Sequence, residues 1–123
     1  MAGKLDRMAR RKKRQFRIRK KIKGAAERPR LAVFRSARHI GVQAIDDVAG
    51  KTLASASTYE KAIREQLKSN PGNRESAAAV GKHIAERLAK LGVKKAVFDR
   101  GGNRFHGRIK ALAESAREAG ITI

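Results

Sequence analysis

The sequence predicts a small α/β domain. Its mixed sheet has three antiparallel N-terminal strands followed by helix-connected strands, and a basic N-terminal arm lies outside it. Three observations predict this. Between residues 31 and 58, three segments are separated by short turns and carry strand-like patterning, the mark of an antiparallel meander. From residue 77 onward, apolar residues recur at spacings of three and four, with one short apolar run between the two stretches. That order gives helical crossovers between further strands. Finally, charge is uneven: 31 Lys and Arg against 11 Asp and Glu give a net +20 over 123 residues. Residues 1–30 hold fourteen of those cations and two acids, Asp6 and Glu27, so more than half the excess sits in the first quarter of the chain. A length of 123 residues suits one domain.

The arm is expected over residues 1–28 and the folded domain over 29–123. The densest run is Arg10, Arg11, Lys12, Lys13, Arg14, Arg17, Arg19, Lys20, Lys21 and Lys23, with Phe16, Ile18 and Ile22 as the large apolar residues among them. Lys and Arg favour helix, but like charges four apart, as in Arg10 and Arg14 or Arg17 and Lys21, oppose it. The expectation is a segment that is unfolded or frayed alone and helical once phosphates neutralise it. A tail serving solubility alone need not be so one-sidedly basic.

Pro29 disfavours helix at Arg28 and closes the arm. Leu31 to Arg35 then reads as a strand, and Ser36-Ala37-Arg38 as a hairpin loop. From His39 to Ile45, Ile40, Val42 and Ala44 share one face while His39, Gly41, Gln43 and Ile45 share the other. Asp46-Asp47-Val48-Ala49-Gly50 is turn chemistry. Thr52 to Thr58 sets Ser55 and Ser57 against Ala54 and Ala56. Tyr59, Ile63 and Leu67 stand four apart, which predicts a short amphipathic helix over 59–68. Ser69 to Gly72 breaks it, and Asn73 is the N-cap of the next helix. That helix runs on Ala77, Val80, Ile84, Leu88 and Leu91 and ends at Gly92. Lys95 to Asp99 is a strand. Ile109, Leu112, Ala113 and Ala116 mark a last helix ended by Gly120, and Ile121 to Ile123 a short terminal strand.

Composition excludes several chemistries. Without Cys there is no disulfide, thiolate zinc site or Cys nucleophile. The three His match no ligand spacing, and no metal or cofactor is expected. There is no long apolar run and no apolar N-terminal core, so neither a membrane span nor a secretory signal is expected. A pI near 11.5 calls for a polyanion, most often nucleic acid. Asp46, Asp47 and Asp99 could meet at neighbouring strand ends, as in a two-metal nuclease. The preferred reading makes Asp46-Asp47 a turn and has Asp99 cap or pair with Arg100 or Arg108.

The most informative local stretch is Asp99-Arg100-Gly101-Gly102-Asn103-Arg104-Phe105-His106-Gly107-Arg108, between a strand and a helix. Gly101 and Gly102 allow backbone N–H groups to converge on an anion. The helix start adds unpaired donors. Arg100, Arg104 and Arg108 can hold phosphates bidentately. Phe105 and His106 offer rings to an unpaired base, although Phe105 could equally belong to the core. The Gly102-to-Gly107 spacing is that of a P-loop, but Arg108 and Ile109 stand where Lys and Ser or Thr are needed, so mononucleotide binding is rejected.

Several blocks resemble one known family. They are Arg28-Pro29-Arg30-Leu31-Ala32-Val33-Phe34-Arg35-Ser36, then His39-Ile40, Gln43 and Ile45-Asp46-Asp47, then Thr52 to Thr58, Phe98 to Gly102 with His106-Gly107-Arg108, and Ala113 to Gly120. In this order, and with the arm in place, they resemble bacterial large-subunit ribosomal protein eighteen. The resemblance implies an α/β sandwich and a non-catalytic role: binding 5S rRNA and anchoring it to 23S rRNA in the central protuberance of the large ribosomal subunit, in the cytoplasm. Ribosomal protein five and other proteins of the central protuberance would be neighbours. The RNA would meet the arm from Arg10 to Lys23, the strand region of Arg30, Arg35, Ser36, Arg38, His39 and Gln43, Ser55 and Ser57, and the loop from Arg100 to Arg108. The sequence departs from the family pattern in having Gly41 where an aromatic is usual, and Asn103 and Phe105 where Tyr is frequent. The alternative is a general nucleic-acid-binding or compacting protein, which shares the charge but has no need of the glycine-arginine loop.

Overall fold

The computed structural model describes residues 10, 13, 23–67, 73–100 and 104–123. Its elements are β1 (Arg30–Arg35), β2 (Ile40–Asp46), β3 (Lys51–Ser57), α1 (Lys61–Arg64), α2 (Arg74–Lys90), β4 (Val97–Asp99) and α3 (Gly107–Glu118). The sheet order is β3-β2-β1-β4. The first three strands form the expected antiparallel meander, and β4 adds in parallel to β1 after the α2 crossover.

The alternation read in the sequence sets the two faces. Leu31, Val33, Ile40, Val42, Ala44 and Ala56 point into one core with Val80, Ile84 and Leu88 of α2 and Ile109, Leu112 and Ala116 of α3. The stripes at three and four are thus the buried faces of the two long helices. These helices approach closely at Gly81, where a Cβ would collide with the carbonyl oxygen of Leu112. The Ser115 hydroxyl donates to the Ala78 carbonyl at 2.6 Å beside that crossing.

Caps fix the helix ends. The Asn73 side chain accepts from the Ser76 amide at 2.9 Å, as its position before the stripe predicts. At the other end, Gly92 (φ +76°) donates to the Ala89 carbonyl and Val93 to that of Leu88. The same pair of bonds closes α3, from Gly120 to Arg117 and from Ile121 to Ala116. Both are Schellman turns, and each returns the following apolar residue, Val93 or Ile121, to the core.

Two expectations need correction. The helix over 59–68 shrinks to the four residues of α1, because the turn 57–60 uses the first part of the segment. The Ser57 amide donates to the Glu60 carboxylate at 2.9 Å, and the Glu60 backbone is extended. Ile63 is buried as expected, but Tyr59 is 58% exposed. The terminal strand reduces to one parallel bridge between Lys95 and Thr122, with hydrogen bonds from Ala96 to Thr122 and from Thr122 to Lys94. The sheet therefore has four strands among the described residues. No helix among those residues is long and apolar enough to cross a membrane.

Candidate nucleic-acid interface

The face of the sheet opposite the helices carries the polar half of the alternation. Across it, Phe34 pairs with Gly41, which pairs with Ser57, and Ala32 pairs with Gln43, which pairs with Ser55. Gln43 and Ser55 are exposed and Ser57 is half-buried. Gly41 has a second consequence here. A Cβ at that position would run into the Phe34 ring, so the aromatic is supplied from the neighbouring strand, and it remains 43% exposed.

One end of this sheet gathers most of the residues singled out outside the arm. The β1–β2 hairpin closes through the Ser36 amide to the His39 carbonyl at 2.8 Å, and the His39 amide to the Ser36 hydroxyl at 3.1 Å. Arg35, Ser36 and Arg38 are exposed there. Arg108, at the start of α3, donates from Nη1 to the Ser36 carbonyl at 3.0 Å and so joins the loop to the hairpin. Arg100, Arg104 and His106 are exposed. Gly107 follows them with φ +55°. Phe105 is half-buried: it meets Phe98 edge to face at 6.1 Å and lies under the Arg117 guanidinium at 5.9 Å. Its ring is thus mainly a packing element. Gly101, Gly102 and Asn103 lie outside the described residues. So do Arg11, Lys12, Arg14, Arg17, Arg19, Lys20 and Lys21 of the arm, whereas Arg10, Lys13 and Lys23 are described and exposed.

The opposite end of β1 is built differently. Arg30 is 9% exposed. Its Nε and Nη2 reach the two oxygens of Asp47 at 3.0 and 3.1 Å, and its Nη1 reaches Asp99 at 2.8 Å. Donation to the Asp47 carboxylate is the main reason its pKa is held above the ordinary arginine value, against the pull of burial, with Asp99 adding to the rise. Asp47 also accepts from the Gly24 amide at 2.7 Å and donates its own amide to the Gly24 carbonyl at 2.9 Å. Gly24 is pressed so close that a Cβ would collide with the Ile45 carbonyl and the Arg30 amide. Arg30 is therefore committed to the fold, where it clamps the base of the arm to the sheet.

This answers the carboxylate question. Asp46 shapes its turn, accepting from the amides of Val48 and Ala49 at 3.0 and 3.1 Å. Asp47 and Asp99 do approach one another, but the guanidinium of Arg30 lies between them. Asp99 pairs with Arg30 of β1. Among the described residues no group of three His, Asp or Glu could hold a metal ion.

Two features escaped the sequence. One is the exposed Tyr59, whose ring stacks on His39 with centroids 3.9 Å apart. Its spacing to Ile63 imitated a helix stripe. The other is an open cleft at the arm base, where Lys23 and Arg28 meet Lys94 and Lys95. No local motif marks it, since about seventy residues separate the two pairs.

Residues 5–123 match the family described as ribosomal L18 of archaea, bacteria, mitochondria and chloroplasts. Curated relatives are similar over nearly their whole length. The large ribosomal subunit protein uL18 of Kosmotoga olearia is 59% identical over 121 residues, 98% of each chain. That of Synechococcus sp. strain JA-2-3B'a(2-13) is 57% identical over 110 residues, 89% of this chain and 90% of the relative. That of Bacillus cytotoxicus is 55% identical over 121 residues, again 98% of each. The four-stranded sheet, the helices on one face and the arm-first charge distribution described above thus come with a shared sequence from end to end, and the chain belongs to the L18 family of ribosomal proteins.

Proposed function

We propose that this chain, as a structural and non-catalytic component of the large ribosomal subunit, binds 5S rRNA and helps attach it to 23S rRNA in the central protuberance, beside ribosomal protein five. The observation that carries the reading is the family match over residues 5–123 to proteins named for the large ribosomal subunit. The chemistry supports it. Arm cations neutralise phosphates and release counterions, which supplies affinity and steep salt dependence. Arg108 sits in the first turn of α3, and its guanidinium is held against the hairpin by the Ser36 carbonyl, next to the exposed Arg104. Gln43 and Ser55, exposed on the open sheet face, suit 2′-hydroxyls and splayed bases.

A competition experiment tests this. Labelled 5S rRNA bound at moderate salt is challenged with tRNA, duplex DNA and unlabelled 5S rRNA. Only the last is expected to compete at stoichiometric levels. Equal competition by all three would instead favour a general nucleic-acid binder.

A further inference from the structure

We propose that Tyr59 is a base-stacking platform: its ring, backed by His39, takes an unpaired RNA nucleobase. The inference deepens the RNA-binding reading and rests on it. Four observations carry it.

First, Tyr59 does not serve the core. It is 58% exposed, and among the described residues its polar contacts are limited to its amide, which donates to the Ser57 hydroxyl. A large ring in that state has one face to spare. Second, the other face is fixed. The His39 ring lies against it at 3.9 Å with 21° between planes. Third, His39 is itself anchored. Its Nδ1 is 3.0 Å from the Thr58 hydroxyl, which is fully buried. That hydroxyl accepts from the Ile40 amide at 3.1 Å and lies 3.2 Å from the Ile40 carbonyl. The His39 ring is thus held by a buried hydroxyl that is itself tied to the β2 backbone. The pair is thus ordered before any ligand arrives, and stacking on it costs little entropy. Fourth, the surroundings suit a nucleotide. Arg35 and Arg38 are exposed in the adjoining hairpin, within the chain's strongly positive field. A ring for a base beside cations for its phosphates is the general form of single-strand recognition.

The composition supplies the probe. Tyr59 is the only Tyr and there is no Trp, so ultraviolet emission excited at the tyrosine band reports this ring. The full chain is titrated with 5S rRNA, with a single-stranded oligoadenylate of twelve nucleotides and with a twelve-base-pair RNA duplex. Tyr59 emission is expected to fall along the binding curve with 5S rRNA and oligoadenylate, and to hold steady with the duplex. Tyr59→Ala and Tyr59→Leu should each weaken oligoadenylate binding about tenfold, while Tyr59→Phe stays within about twofold of wild type. Circular dichroism checks that the variants are folded. Unchanged emission at saturating oligoadenylate, or wild-type affinity in both Tyr59→Ala and Tyr59→Leu, overturns the proposal. If wild type binds oligoadenylate but shows no preference for 5S rRNA, the ribosomal reading fails on its own account and the platform is still judged by the oligoadenylate arm.

Discussion

Arginines at the two ends of β1 meet opposite fates. At its start, Arg30 is sunk between Asp47 and Asp99, and Asp47 in turn accepts from the amide of Gly24 at the base of the arm. Past its end, Arg35 and Arg38 are exposed in the hairpin, and Arg108 reaches over to the Ser36 carbonyl. Composition counts all of these alike as positive charge for a polyanion. What sets Arg30 apart is its depth in the fold, with two carboxylates on one guanidinium. Acids are scarce in a chain with 31 cations, and two of the eleven converge on one guanidinium. The excess charge is therefore not a uniform coat. A small part of it is internal scaffolding.

The sharpest way to break this distinction is to remove one acid. Asp99 is fully buried, and Asp99→Ala leaves the Arg30 guanidinium short of a partner inside the fold. The expected loss of stability is about 3–5 kcal/mol, read from urea unfolding. Arg108→Ala at the other end should cost less, about 0.5–1.5 kcal/mol, since this half-buried side chain gives up a solvent-accessible hydrogen bond to the Ser36 carbonyl. Equal losses in the two variants would erase the difference between anchor and ligand.

The next comparison is made at the arm. Deleting residues 1–22 should leave stability unchanged and weaken 5S rRNA binding by at least about a hundredfold near 0.1 M salt, with a shallower salt slope. Deleting two residues more also removes Gly24 and its two hydrogen bonds to Asp47. That cut should lower the unfolding free energy by about 1–3 kcal/mol. The boundary of the folded unit would then lie at Gly24, a few residues before the one that Pro29 suggests. Arg108→Ala is a gentler change again: RNA affinity should drop severalfold, with the salt slope reduced by about one.

Much of this fold is legible because its signals are local. Period-two alternation assigns Ile40, Val42 and Ala44 to the core and Gln43 to the open face, and the structure keeps that assignment. Asn73, Gly92 and Gly120 punctuate the helices where a sequence reader expects. What stays hidden depends on residues far apart in the chain. Arg30 meets partners 17 and 69 positions away, so a sequence shows three ionic residues but not their union. Tyr59 misleads for a different reason. It stands four before Ile63, as a helix stripe requires, yet Glu60 has captured the Ser57 amide and turned the chain before the helix begins. Periodicity reports spacing and cannot see a side chain competing for the backbone. The candidate site read from the sequence is a glycine-arginine loop and a polar strand face, and the exposed ring of Tyr59 belongs to neither.

Between the buried anchor and the surface arginine stands an intermediate case, and it gives the smallest predicted effect. Arg87 of α2 donates to the Ser55 carbonyl and to the Glu60 carboxylate, the latter at 2.9 Å. That hydrogen bond, with the Ser57 amide also donating, holds the Glu60 carboxyl below its ordinary value near 4.5 despite partial burial. A carboxyl depressed in the folded state is worth stability above its unfolded pKa, and that contribution is lost as pH falls through the folded one. Both side chains are about one-third exposed, so solvent and salt screen the pair and its worth is a few tenths of a kcal/mol, below about 1. The urea midpoint of wild type should exceed that of Glu60→Gln slightly at pH 7, and the gap should narrow as pH falls below the ordinary Glu value. A gap that does not narrow on acidification would assign the benefit to packing by Glu60 rather than to its charge. A gap as large as that of Asp99→Ala would mean that burial does not grade these ion pairs, and the ranking of the two ends of β1 would need another cause.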